Sequence, residues 1–277
     1  MNTRLQVEHP ITECITGIDL VQQMIKIAKG YPLDIKQENI NINGWAIESR
    51  VYAEDPYKNY GLPSTGQLYS YQEPYFAGLR CDSGVEEGSV IGIYYDPMIC
   101  KLICHGKNRK EAIEKSIKAL DSYVIYGVTH NIPLLRDILT EKKFTEGNVN
   151  TNYLLDVYPG GFKGRNLNEE NRKKLIAIAT SIYIQQDLRN RMYLNVANIK
   201  IHRKDLEKWD LIISLMGKNI SVAARQDNDN LIIQIENNVY TVKKGFGYNN
   251  PLLQSDINEE TITSQLLSKK SNGEFQL

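Results

Sequence analysis

Hydrophobic residues recur at helical spacing in four segments of this 277-residue chain. The pattern predicts helices over residues 18–29, 108–123, 131–140 and 169–190. Thr16 and Asn168 stand where a side chain would cap the first and the last of these helices. Residues 175–184 are apolar on nearly every side, which is typical of a helix that other elements surround.

Extended patterns separate the first helices and follow the last one. Residues 45–54 and 97–104 are predicted as strands, and the Gly-, Pro- and Ser-rich stretch 57–92 predicts short strands such as 66–71 with long loops. Further strands are predicted at 210–216, 219–225, 231–236 and 239–243, joined by turn signals at 217–218, 227–230 and 237–238. A buried helix followed by serial hairpins predicts a sheet wrapped around that helix. Tyr158-Pro159-Gly160-Gly161 marks the predicted boundary between residues 1–157 and 158–277.

Composition narrows the functional classes. The chain is 42% hydrophobic and 24% charged, as in ordinary globular proteins. Lys plus Arg and Asp plus Glu number 33 each, so the balance gives no support for nucleic-acid binding. No apolar run reaches the roughly 18 residues of a transmembrane helix. Four cysteines favour reduced thiols over a disulfide scaffold.

The opening segment concentrates polar side chains at every second position. Asn2, Arg4, Gln6 and Glu8 would share one face if the segment is extended. An arginine can hold bicarbonate through two hydrogen bonds, a nearby glutamate can act as general base, and Val7 can add a backbone N–H. The alternative is a solvated edge strand with no chemistry.

Five motifs in a fixed order resemble the biotin carboxylases of the ATP-grasp superfamily. They are MNTRLQVEHPITE from Met1, AIESRVYAEDP from Ala46, LPSTG from Leu62, YYDPMICKL from Tyr94 and NTNYLLDV from Asn150. From VYPGGFKG at Val157 onward, the chain resembles the region after that domain in the α subunits of propionyl-CoA carboxylases. The resemblance implies an α+β fold. Residues 1–157 would end the ATP-grasp catalytic loop and form the C-terminal subdomain of biotin carboxylase, an antiparallel sheet with flanking helices. Residues 158–277 would form a truncated biotin transfer (BT) linking domain, a long helix wrapped by an incomplete antiparallel β-barrel.

The same resemblance implies roles for the opening residues. Arg4 matches the catalytic arginine that holds bicarbonate, and Glu8 matches the base that deprotonates it. Gln6 and the amide of Val7 match further bicarbonate contacts. Asn2 matches a residue beside the metal and the phosphates.

Arg50 matches the catalytic, biotin-binding arginine that stabilises the biotin enolate. A fixed guanidinium stabilises negative charge that develops in the transition state, which suits this role. Without the motif, the simpler interpretation is a surface ion pair of Arg50 with Glu48 or Glu54.

The function implied is that of a ligase subunit that carboxylates carrier-bound biotin with ATP, bicarbonate and Mg²⁺ or Mn²⁺. The carboxyl group would then pass to propionyl-CoA, giving methylmalonyl-CoA, on a carboxyltransferase β subunit. Other implied partners are the biotinyl carrier domain and further α subunits, with no nucleic acid and no membrane, and the implied location is the mitochondrial matrix. The alternatives are a non-catalytic assembly module, or the matching subunit of methylcrotonyl-CoA or acetyl-CoA carboxylase.

Parts that the family has are not found in this sequence. Two metal-binding glutamates, the glycine-rich lid and the phosphate-binding lysines lie upstream of the signature loop in the family, and a Met-Lys-Met biotinylation site lies downstream. With Glu8 and Glu13 inside it, the start resembles neither a secretory signal nor a mitochondrial presequence. We therefore expect a fragment cut at both ends and inactive alone, with Met1 an internal methionine.

Several other features have simple structural interpretations. Cys100, Cys104 and His105 lack the second ligand pair of a zinc site, so buried strand cysteines are expected. His9 is expected to pack beside the turn at Pro10. The glycosylation sequon that begins at Asn219 is expected to be accidental.

Overall fold

A computed structural model describes residues 2–58, 61–192, 207–243, 250–270 and 274–277. Met1, with which the first motif begins, lies outside the described residues. The chain divides into two compact units, Met1–Arg165 and Asn166–Leu277. The predicted division of roles after residue 157 stays a prediction.

Among its described residues, the first unit combines six α-helices with nine strands, most of them short. Its helices are α1 (His9–Thr16), α2 (Leu20–Ala28), α3 (Arg109–Asp121), α4 (Ile132–Thr140), α5 (Lys142–Glu146) and α6 (Tyr153–Val157), with a 3₁₀ turn at Gln37–Asn39. Its strands are β1 (Trp45–Tyr52), β2 (Glu54–Asp55), β3 (Leu62–Pro63), β4 (Gly66–Gln67), β5 (Ser70–Gln72), β6 (Leu79–Ser83), β7 (Val90–Ile91), β8 (Met98–Gly106) and β9 (Val124–Tyr126). The predicted helices and long strands are therefore present.

The central sheet of this unit has the order β1-β8-β6 and is antiparallel throughout. Cys100, Leu102 and Cys104 of β8 face the core, against which α3 packs. The alternate residues of β8 face α1, which contacts β1 and β8. The sheet thus lies between α3 and α1, and the polar side chains of interest are on the α1 side.

The start of this unit differs from the prediction. Helix α1, at residues 9–16, is not among the helices that the hydrophobic pattern predicts. Thr16 does not cap the next helix but ends α1, ahead of Gly17 at φ 73°. Asp19 is the cap of α2, because its Oδ1 accepts a hydrogen bond of 2.8 Å from the N–H of Gln22.

The described part of the second unit consists of one long helix and a meander of strands. These are α7 (Glu169–Met192), β10 (Lys208–Leu215), β11 (Lys218–Asp227), β12 (Asn230–Ile235), β13 (Asn238–Lys243), β14 (Leu252–Ile257), β15 (Glu260–Gln265), β16 (Ser268–Lys269) and β17 (Phe275–Gln276). Strands β10 to β15 form one antiparallel sheet in chain order, and β16 pairs with β17. The predicted α+β fold is confirmed, and the sheet is open, since no closed barrel forms among the described strands.

Helix α7 supplies the centre of the second core. Asn168 caps it as predicted, with Oδ1 accepting a hydrogen bond of 2.8 Å from the N–H of Asn171. Ile178 and Ile182 are buried among Ile233, Ile235 and other residues of the sheet. Tyr183 is 41% exposed, so the burial is less complete than the apolar pattern predicts. None of the described helices has the length and apolar character needed to cross a bilayer.

Candidate functional site

Residues 2–6 have no regular secondary structure, and Val7 and Glu8 form a turn that leads into α1. The N–H of His9 donates to the carbonyl of Gln6 at 3.2 Å, and Pro10 occupies the first turn of α1. The segment is therefore not an extended strand, and the period-two face expected of Asn2, Arg4, Gln6 and Glu8 does not form. The edge-strand alternative is excluded by the same observation.

The turn instead brings Glu8 to Arg50. Nη2 of Arg50 donates to Oε2 of Glu8 at 2.8 Å, although the two residues are 42 positions apart in the sequence. The Glu8 side chain is 51% exposed and that of Arg50 is 38% exposed. Two of the three expected catalytic residues thus meet at a solvent-accessible point where a small anion could enter.

A second carboxylate holds the other edge of the guanidinium. Nε of Arg50 donates to Oε1 of Glu48 at 2.9 Å, and the Glu48 side chain is only 6% exposed. This hydrogen bond is the largest influence that raises the pKa of Arg50 above its usual value. The sequence-based alternative of an ion pair between Arg50 and Glu48 is therefore present, together with the contact to Glu8.

Strand β1 fixes the backbone of Arg50 on both sides. Arg50 pairs with Lys101 of β8 in the antiparallel ladder. On the other edge, Nδ2 of Asn131 donates to the carbonyl of Arg50 at 3.1 Å, and its Oδ1 accepts from the N–H of Tyr52 at 2.9 Å. The side-chain amide of Asn131 takes the place of a neighbouring strand. Sequence reasoning missed this residue, because a side chain that binds a backbone 81 residues away leaves no local pattern.

Further charged side chains cover the same side of the sheet. Nζ of Lys101 lies 3.3 Å from Nε2 of His9 and 3.3 Å from Oδ2 of Asp82. Arg80 donates from Nε to Asp82 at 2.7 Å and from Nη1 to Glu13 at 2.7 Å. His9 therefore belongs to a charged network as well as to the turn. Alternating polar residues in β6 and β8 were the signal that could have revealed it.

Arg4 lies apart from these contacts. Its side chain is exposed, and Nη1 donates to the carbonyl of Leu5 at 3.2 Å. With Asn2 it borders an open groove of about 560 Å³ whose other wall includes Leu20 and Met24 of α2. No hydrogen bond or ion pair joins Arg4 to Glu8 or Arg50 in the described part of the chain. The structure thus places Glu8 and Arg50 together, while the roles of Glu8 and Arg50, like those of Arg4, Gln6, Val7 and Asn2, stay predictions.

The described residues do not build a metal site. Mg²⁺ is held by several oxygen ligands, chiefly carboxylates, whereas Asn2 offers one exposed amide. Among the residues that the structure covers, no group of three His, Cys, Asp or Glu side chains could hold a metal ion. Cys100 and Cys104 are buried in the core, while the ring of His105 lies on the opposite face and contacts the carbonyl of Asn43 at 2.8 Å. A metal would have to rely on ligands beyond those described.

Three family models match the chain. The model for the biotin carboxylase C-terminal domain matches residues 48–156, and that for the propionyl-coenzyme A carboxylase BT domain matches residues 175–277. The model for the ATP binding domain of the carbamoyl-phosphate synthase L chain matches residues 1–36. The matches follow the same order as the five motifs.

Relatives of known name match over nearly the whole chain. The mitochondrial propionyl-CoA carboxylase alpha chain of Mus musculus is 47% identical over 278 residues, covering 100% of this chain and 38% of that protein. That of Caenorhabditis elegans is 46% identical over 283 residues, covering 98% of this chain and 39% of that protein. A solved biotin carboxylase domain of Hydrogenobacter thermophilus 2-oxoglutarate carboxylase, in complex with MgADP, ADP and bicarbonate, is 43% identical with a TM-score of 0.55. It covers 57% of this chain and 34% of that one. The chain thus spans well under half the length of these relatives.

Proposed function

The chain is homologous over its whole length to propionyl-CoA carboxylase alpha chains, and from that premise we propose that it forms part of the biotin carboxylase and BT regions of a biotin-dependent carboxylase subunit. The observation that carries the proposal is the contact of Arg50 with Glu8 at one exposed point and with buried Glu48 behind it. A base and a fixed cation side by side suit a reaction that first deprotonates bicarbonate and later stabilises an enolate.

Each side chain has a distinct task in this proposal. Arg4 and Gln6, with the amide of Val7, hold bicarbonate, and Glu8 removes its proton so that it can attack the γ-phosphate of ATP. Arg50 acts after carboxyphosphate has formed and decomposed, and binds the enolate oxygen of biotin. The contact between Glu8, which is 51% exposed, and Arg50 is compatible with this order of steps, since an incoming anion can displace the Glu8 carboxylate.

The substrate and partners follow from the relatives. The BT match over residues 175–277 supports propionyl-CoA as the acceptor and a carboxyltransferase β subunit as the partner. The biotinyl carrier domain and further α subunits complete the assembly, and ATP with Mg²⁺ or Mn²⁺ drives it. Relatives that are named mitochondrial support a place in the mitochondrial matrix. The matching subunits of acetyl-CoA or methylcrotonyl-CoA carboxylase remain the alternatives.

The 277-residue polypeptide by itself should not hydrolyse ATP in response to bicarbonate or biotin. Asn2 is an insufficient metal ligand, and the described residues offer no metal cluster. Phosphate release from the purified polypeptide, with and without biotin, tests this. Biotin-stimulated release would show that these residues contain a complete active site and would overturn the proposal.

The assignment of roles is tested in the complete α subunit. Arg50→Gln should lower biotin carboxylation by a factor of about 100 or more, in line with the loss of a transition-state contact. Bicarbonate-dependent ATP cleavage should fall much less, because that step precedes biotin deprotonation. Arg4→Gln and Glu8→Gln should depress both reactions. Equal loss of both reactions in Arg50→Gln would move Arg50 to the bicarbonate site. Normal activity in all three variants would favour the assembly module.

A further inference from the structure

The backbone of Arg50 is held in place, which leaves the several rotatable bonds of its side chain to be fixed. The ladder to Lys101 and the amide of Asn131 hold the main chain from both edges of β1. The side chain of arginine is long and loses much rotamer entropy when it is ordered. Something must therefore fix the guanidinium itself if it is to meet a substrate atom in one orientation.

The two carboxylates that contact Arg50 differ in burial, and only the buried one can fix the orientation of the guanidinium. Glu8 reaches a terminal nitrogen and is 51% exposed, so water or an anion can replace it. Glu48 reaches Nε and is 6% exposed. Its second oxygen, Oε2, is buried and has no hydrogen-bond partner among the described residues. A buried carboxylate with a single donor depends on that donor, so the contact to Nε is the persistent one.

We propose that Glu48 is the positioning residue of Arg50: its buried carboxylate holds the Nε edge of the guanidinium, so that the terminal nitrogens stay aimed at the point where Glu8 now lies. Glu48 and Arg50 stand two positions apart in β1 and project from the same face of the strand. This spacing lets the strand, rather than a mobile loop, set the geometry. The role in turnover rests on the proposed function, whereas the orientation of the guanidinium does not.

The functional test compares variants of the complete α subunit. A misplacement of about 1 Å can lower a rate by as much as about 10²-fold. Glu48→Gln should therefore reduce kcat for biotin carboxylation by about 10- to 100-fold, with bicarbonate-dependent ATP cleavage within about twofold of wild type. Glu48→Asp, which keeps the charge, should recover part of the loss. Asp121→Asn is the matched control, because it removes the carboxylate partner of a different arginine, Arg136, and should leave both reactions unchanged.

A double variant separates positioning from a general structural role. If Glu48 acts only through Arg50, Glu48→Gln added to Arg50→Gln should lower carboxylation no further. An additional tenfold loss in the double variant, or full activity in Glu48→Gln, would overturn the inference.

Orientation is tested without turnover on the 277-residue chain. The Nε–H of Arg50, assigned in ¹⁵N NMR spectra by its absence in Arg50→Gln, should exchange slowly with solvent in wild type and in Glu8→Gln. It should exchange rapidly in Glu48→Gln. Protection lost in Glu8→Gln but kept in Glu48→Gln would overturn the inference. If the Nε–H protection depends on Glu48 but the wild-type α subunit has no carboxylase activity, the proposed function is refuted and the inference about orientation stands.

Discussion

Replacing Arg50 by glutamine should destabilise the first unit more than replacing its exposed partner Glu8. Arg50→Gln removes the donor from a carboxylate, Glu48, that is 6% exposed and has no second partner among the described residues. A hydrogen bond to a charged group contributes about 1.5–3 kcal/mol. Because Arg50 itself is 38% exposed, solvent screens the pair and reduces the expected loss to about 1–2 kcal/mol. Glu8→Gln breaks only an exposed pair and should cost at most about 0.5 kcal/mol.

The two tryptophans allow each unit to be followed separately. Trp45 lies in β1 of the first unit and Trp209 in β10 of the second. In a Trp209→Phe background, the fluorescence of Trp45 reports unfolding of the first unit in urea at pH 7. With a slope of about 2 kcal/mol per molar urea, Arg50→Gln should lower the midpoint by roughly 0.5–1 M.

A further variant identifies the cause of the loss. Adding Glu48→Gln to Arg50→Gln removes the buried Glu48 carboxylate that the single variant leaves unpaired. The double variant should recover at least half of the lost free energy of unfolding, since a neutral amide costs less to bury. Equal midpoints for Arg50→Gln and Glu8→Gln would refute the reasoning, and so would a double variant that is less stable than Arg50→Gln.

Three other predictions concern single groups elsewhere in the chain. Burial raises the pKa of Cys104 to about 11, so iodoacetamide at pH 8 should leave this thiol unmodified in the native chain and label it after denaturation, as read by peptide mass spectrometry. Burial raises the pKa of Glu13, but hydrogen bonds from Arg80 and from the N–H of Leu20 outweigh it and hold the pKa below its usual value. The ionised Glu13 carboxylate therefore stabilises the fold at a pH above its pKa in the unfolded chain, and this stabilisation is lost as pH falls through its pKa in the folded chain. Between about pH 5 and about pH 3, Glu13→Gln should therefore lose less stability than wild type in urea titrations. Met216 has φ 51° and forms a two-residue hairpin loop with Gly217, a position that favours asparagine. Met216→Asn should therefore stabilise the second unit by about 0.5–1 kcal/mol and raise the urea midpoint reported by Trp209. A lower midpoint would contradict this.

The second unit was predictable because its signals are local. Asn168 caps α7 in the structure as its position before an acidic turn predicts. The turn signals place the hairpins within one residue, because a two-residue loop fixes the register of both strands. Strands β14 and β15 were not predicted. Their residues, 252–257 and 260–265, are polar at many positions, and their hairpin uses Asn258 and Glu259 at positive φ rather than glycine.

The candidate site was predictable only in part because its contacts are distant in sequence. The motifs identify Glu8 and Arg50, and the structure brings the two together. They do not indicate which neighbour holds Arg50, since Glu48 and Glu54 lie two and four positions away and both fit the alternation of a strand. The structure selects Glu48, which lies in β1 with Arg50 and is buried against it. The condition that the opening segment be extended is not met, because alternating polar residues also suit a turn that leads into a helix at Pro10.

The two sheets differ in how far along the chain each strand lies from its neighbour, and this difference bears on the order of folding. Strands β10, β11 and β12 each pair with the next strand across a two-residue loop. Strand β1 pairs with β8 only after six shorter strands have intervened. Contacts that close small loops form sooner than contacts that close large ones. In refolding, the signal of Trp209 should therefore recover before that of Trp45. Arg50 would meet Lys101 late, so a chain interrupted during folding would hold a formed second sheet and an unassembled site.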